Sequence, residues 1–121
     1  MESLASEQFC YVTTKGRRTG NPHEIEIWFG LDGRTLYMLS GGRERSDWVR
    51  NIVADRAVSV RIGSSEFSGE ARLVEAGSAE DALARRLLLE KYSPGYAGDL
   101  ADWGRTALPV AVTLAGTRLT S

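Results

Sequence analysis

Two glycine-containing loops carry the clustered cations of this chain. The first runs Thr13-Thr14-Lys15-Gly16-Arg17-Arg18-Thr19-Gly20-Asn21-Pro22-His23, and the second Ser40-Gly41-Gly42-Arg43-Glu44-Arg45. Guanidinium forks beside flexible backbone, whose N–H groups can converge on one point, suit a phosphate or a carboxylate. Taken alone, each loop reads as a solvated loop as readily as an anion site. Their position adds weight: the first leads into a strand-like His23–Phe29, and the second leaves that strand's hairpin partner. The remaining chemistry is thin. His23 is the only histidine, and Cys10, the only cysteine, lies in a β-rich run where a small buried hydrophobe is expected. Glu24 and Glu26 share a strand face that is expected to be solvated. No metal cluster and no nucleophile–base pair can be assembled, so the chain either binds without catalysis or borrows its chemistry from a cofactor.

The elements that must position these loops follow from hydrophobic period and turn chemistry. Phe9–Thr13 is rich in β-formers. His23 to Phe29 alternates, with Ile25, Ile27 and Phe29 on one face and Glu24, Glu26 and Trp28 on the other. Asp32-Gly33 is a hairpin turn signal, and Thr35–Leu39 returns from it. Ser46 can cap a helix over about 47–55, with Trp48/Ile52 and Val49/Val53 as i,i+4 pairs. Val58 to Ile62 and Phe67 to Leu73 alternate as two further strands. Ser78 with Asp81 resembles a capping box opening a second helix, whose Leu83, Leu87, Leu88 and Tyr92 face the core. Residues 93–105 read as an irregular connection, and Leu108 to Leu114 as a last strand with Pro109 near its start. Six strands and two helices with short connections give a mainly β fold: a small, mostly antiparallel barrel with covering helices, not a doubly wound parallel sheet.

With 121 residues, the chain fits one domain over residues 1–121. A net charge of -1, and aromatics that do not interleave with the basic loops, point away from nucleic acid. No signal peptide and no apolar run of spanning length is present, so a cytoplasmic location and no membrane partner are expected.

Residues 13–62 resemble the deazaflavin-dependent nitroreductase family, split-barrel oxidoreductases that use reduced coenzyme F420. The matching pieces are Thr-Thr-Lys-Gly-Arg-Arg-Thr-Gly-Asn-Pro, the hairpin strands, Leu-Ser-Gly-Gly, and Asp-Trp-Val-Arg-Asn-Ile-Val-Ala-Asp. Weaker similarity extends through Ser-Pro-Gly-Tyr and Gly-Arg-Thr-Ala-Leu-Pro-Val. The resemblance implies a split β-barrel and an enzyme. Reduced F420 would pass a hydride to a small organic acceptor: an activated alkene, a quinone or a nitro compound. By position, it implies that Lys15, Arg17 and Arg18 meet the phosphate or glutamate tail, with His23 standing where many relatives carry Arg. Ser40, Gly41, Gly42, Arg43 and Arg45 would continue that cradle, and Trp48 and Asn51 would brace it from the helix. Ile25, Ile27 and Trp28 would lie against the deazaflavin ring, and Tyr96 would border the acceptor and supply its hydroxyl. Departures are Asp55-Arg56, where many members have Asn-Pro, and a tyrosine cluster thinned to Tyr92 and Tyr96 beside Trp103. The rivals are an FMN-binding flavoprotein on the same fold and a non-catalytic carrier of a cofactor or lipid. FMN's single phosphate needs less positive charge than a tail of several carboxylates, so the arginines lean toward F420. Many split barrels pair as dimers across the cofactor site, so a homodimer is open to this chain, whose sequence does not fix its oligomeric state.

Overall fold

The computed structural model describes residues 2–96 and 100–117. The β-branched run Cys10–Lys15 forms β1, and a hairpin returns as β2 (Pro22–Ile27). Then come β3 (Gly30–Asp32) and β4 (Thr35–Ser40), joined by the turn at Gly33, whose φ of 61° favours glycine. After helix α2 (Asp47–Ala54) follow β5 (Ala57–Ile62), β6 (Ser65–Leu73), helix α3 (Ala79–Tyr92), helix α4 (Ala101–Thr106) and β7 (Leu108–Thr117). The lead-in carries a short helix, α1 (Glu2–Ala5). All pairings are antiparallel, in the order β2-β1-β5-β6-β7-β4-β3.

Two expectations need correction. There are seven strands among the described residues, not six: the run expected over 23–29 ends as a strand at Ile27, and Gly30–Asp32, beyond the Trp28-Phe29 link, forms a strand of its own. Strand β2 pairs with β1 and β3 with β4, at opposite edges of the sheet. Three residue steps span at most about 11 Å, so the sheet must curl until its two edges nearly meet. The segment 93–105 is not wholly irregular: it contains α4, packed against α3, where a Cβ on Gly104 would lie 2.6 Å from Leu89.

Curling creates two apolar layers. Cys10, Val12, Phe29, Leu36, Met38, Val60 and Val112 fill the inside, with Val49 and Ile52 of α2 added to them. Val53, expected to share that helix face, is 65% exposed. The outer layer lies under α3 and holds Tyr37, Leu39, Ala84, Leu88, Tyr92 and Ala111. Strand β4 is therefore buried on both faces. The Ser78 cap forms, with Asp81 N–H donating to Ser78 Oγ at 3.1 Å. Ser46 stands at the N-cap of α2, but its hydroxyl meets Ser40 Oγ at 2.9 Å instead of capping.

One charged knot ties α3 to the sheet. Arg72 of β6 grips Glu80 with both terminal nitrogens at 2.7 and 2.6 Å, while the buried Tyr37 hydroxyl donates to Glu80 at 2.6 Å. These bonds, Arg72's first, hold the Glu80 carboxyl down at about 2. Burial, and then the Glu80 carboxylate, push Tyr37 up to about 12. A depressed carboxyl stabilises the fold in full above its ordinary 4.5, and that contribution is lost as pH falls toward about 2. Glu80→Gln is thus expected to lower the melting temperature at neutral pH and to flatten its fall between pH 4.5 and 2. Thermal melts stepped through that window check this; parallel curves for the two proteins would refute it.

Candidate cofactor site

The first basic loop is closed by its own backbone. Gly16 N–H donates to Asn21 O at 2.7 Å, and Gly20, at φ 79°, donates to Gly16 O at 2.8 Å. It is then bolted to α2. Asn51 Oδ1 accepts from the Arg17 backbone N–H (3.2 Å) and from Arg17 Nη1 (2.8 Å), while Asn51 Nδ2 donates to Thr14 Oγ1 at 3.0 Å. Asn51 and Thr14 are 4% and 1% exposed, so this junction is buried and satisfied by protein groups. Arg17 Nη2 also pairs with Asp47 at 3.2 Å.

Between loop and helix runs a groove of about 670 Å³, whose walls include Arg18, His23, Ile25, Trp48, Arg50 and Asn51. Its two carboxylates are already engaged: Asp47 with Arg17, and Glu24 with Arg61 at 3.2 Å. Arg18 and Arg50 form no ion pair with a described residue. Their guanidiniums therefore leave the groove with uncompensated positive charge. The His23 imidazole lies over Gly16, where a Cβ would come within 2.7 Å of Nε2.

At the far end of β2, about 16 Å along the strand from His23, stands an aromatic cluster. The Trp28 ring lies flat on Tyr92, with centroids 4.2 Å apart and planes within 3°. Trp103 and Tyr96 meet it edge-on at 5.6 and 6.0 Å. Tyr96 is 47% exposed. Tyr92 is buried, and burial pushes its hydroxyl up to about 12. Burial likewise raises Cys10 to about 12, so this cysteine stays a thiol and offers no nucleophile at neutral pH. No group of metal-binding side chains forms among the described residues.

The structure brings together Arg17, Arg18, His23, Ile25, Trp48 and Asn51 of the expected site, with Trp28 and Tyr96 at the other end of the strand. Lys15 lies apart from the groove wall, exposed and 3.9 Å from Asp55. Ile27 packs on the inner core. The second loop does not join the groove wall. Ser40 is 2% exposed and donates to Arg43 O. Arg43, at φ 53°, reaches Thr106 O at the end of α4, and Gly41 faces Trp103. Gly42 packs against Ser46, and Arg45 is exposed. Arg50 escaped the sequence reading, although Asp47, Arg50 and Asn51 sit at i, i+3 and i+4 and so share a helix face.

A curled antiparallel sheet with α2 packed into its interior and α3 over its outer face defines a split-barrel protein. Residues 2–115 match the F420H(2)-dependent quinone reductase family, and the chain belongs to it. It is an F420-dependent reductase, and its cofactor is coenzyme F420. Among solved structures, an F420-H2 dependent reductase, FDR-A, is 21% identical over 89% of this chain and 94% of its own, with a TM-score of 0.71. The heme storage protein HutZ from Vibrio cholerae is 13% identical over 98% and 89%, with a TM-score of 0.78. A FAD-binding protein from Mesorhizobium loti is 14% identical over 96% and 87%, with a TM-score of 0.68. At these identities the likeness is one of fold. The comparison with curated proteins gives no match. No helix among the described residues is long and apolar enough to cross a membrane.

Arg17 and Arg18, adjacent in sequence, have opposite duties in this geometry. Arg17→Ala removes a charged hydrogen bond to a buried amide and is expected to cost about 1–2 kcal/mol of stability. Arg18→Ala is expected to stay within about 0.5 kcal/mol of wild type, as surface changes do. Denaturant titrations of both variants decide it; equal stabilities would detach the loop from α2.

Proposed function

We propose that this chain reduces small organic acceptors, quinones foremost, with the acidic tail of F420 in the Arg18–Arg50 groove and the acceptor beside Trp28 and Tyr96. The observation that carries the reading is the pair of unpaired guanidiniums facing one groove, a strand's length from an aromatic cluster. A tail bearing a phosphate and carboxylates matches two free cations better than a lone phosphate does. The residues therefore fit the cofactor. When bound, F420 supplies a hydride donor in its deazaflavin ring. Arg18 and Arg50 bind the tail, and Arg17 with Asn51 keeps the loop in place for them. Ile25, in the groove wall, offers apolar surface to the ring. Reduction of a quinone to a hydroquinone consumes one hydride and a proton. The exposed Tyr96 hydroxyl is the side-chain donor at the aromatic end, set to stabilise charge on the acceptor oxygen and to pass it a proton.

Side-by-side titrations test the cofactor half. F420 is expected to bind more tightly than FMN, and more weakly as salt rises, because exposed charges are screened. Arg18→Ala with Arg50→Ala should raise the F420 dissociation constant at least about tenfold, since charge-assisted bonds are worth roughly 1.5–3 kcal/mol each. Equal or tighter FMN binding, or a double variant that keeps its affinity, sinks this assignment.

Tyr96→Phe tests the acceptor half. F420 affinity should hold, while stopped-flow oxidation of bound reduced F420 by a quinone should slow about tenfold or more. An unchanged rate would leave solvent as the proton source.

A further inference from the structure

Trp28 and Phe29 are the whole connection between β2 and β3, and both are held from one side by the last turn of α3. The Tyr92 hydroxyl accepts the Phe29 N–H at 3.0 Å and lies 2.9 Å from Gln8 O and 3.1 Å from Phe29 O, either of which can take its proton. Lys91 Nζ donates to the same Phe29 O at 3.0 Å and stands 3.6 Å above the Phe29 ring. The Tyr92 ring supplies the remaining restraint, because its parallel stack covers one face of the Trp28 indole. At 4% exposure, Tyr92 itself has almost no surface to offer a ligand. Trp28 is only half-buried, and its other neighbours, Trp103 and Tyr96, touch it edge-on. The plane of the indole is therefore set by a residue that stands behind it.

We propose that Tyr92 is a positioning residue for the acceptor: acting through Trp28, it fixes the aromatic wall against which a quinone lies, and so governs acceptor affinity while leaving cofactor affinity alone. This rests on the reading that the acceptor sits beside Trp28 and Tyr96. The separation of effects follows from distance. The cationic groove is built by loop 16–21 and α2, and none of its walls comes from α3.

The test uses menadione, a naphthoquinone, and the quenching of tryptophan fluorescence by it, which needs neither F420 nor turnover. Trp28→Phe identifies the share of the signal that belongs to Trp28. Tyr92→Leu removes stack and hydroxyl together and should weaken menadione binding at least about fivefold, because small misplacements of a positioning surface are costly. Tyr92→Phe keeps the stack and should lose about twofold. Both should bind F420 like wild type, and in turnover both should raise KM for menadione more than they lower kcat. Menadione affinity unchanged in Tyr92→Leu overturns the proposal, as does a parallel loss of F420 and menadione affinity, or wild-type fluorescence indifferent to menadione. If the leucine variant does not fold, Tyr92→Phe decides alone: a loss confined to menadione supports the role, and wild-type affinity overturns it. Should the wild type bind menadione but fail to oxidise reduced F420 with it, the function proposed above falls, while the quenching series still decides the role of Tyr92.

Discussion

The two-residue link Trp28-Phe29 is the constraint on which the rest of the molecule depends. It joins strands at opposite edges of a seven-stranded sheet, so the sheet can exist only as a curled one. Closure puts Phe29 inside, fully buried, and Trp28 outside under α3. It also brings β3 against that helix: a Cβ on Gly30 would come within 3.1 Å of Leu87. The link has no strand partner of its own, so its polar atoms need other company. Tyr92 and Lys91 supply it. For Lys91 the cost is visible in its chemistry, since burial lowers its ammonium to about 8.

The same link explains how one short strand can serve two different chemistries. Strand β2 starts beside the cationic groove and ends at the aromatic cluster. A ligand with a charged tail and an apolar ring needs that kind of polarity along its length. The two ends are also anchored independently, one through Asn51 to α2 and the other through Tyr92 to α3. Changes at one end can then alter one affinity and spare the other.

Much of this was legible in the sequence, and the failures have physical causes. Alternation and turn residues mark the strands, because inward and outward faces differ in solvation. The break at Trp28-Phe29 leaves no such mark: Ile27 and Phe29 still face inward while the hydrogen-bonding partner changes from β1 to β4. Helix α4 is hidden by Gly104, a poor helix former that is there because Leu89 needs the space. By its position in the family resemblance, Arg43 belongs with the anion cradle. Its guanidinium instead serves a carbonyl at the C-terminus of α4, where unpaired acceptors attract cations. A cation's residue type does not reveal whether its partner is a ligand or the fold itself.

That distinction decides the electrostatics of the groove. A net charge of -1 predicts no field, and a count of arginines in the loop predicts too large a one. What acts on a ligand is the charge left after internal pairing. Arg17 is neutralised by Asp47 and committed to Asn51, so it contributes rigidity. Arg18 and Arg50 keep their charge, and they come from elements about thirty residues apart that meet only because Asn51 clasps the loop. The anion site is therefore a product of tertiary structure, even though half of its cations lie in one contiguous motif.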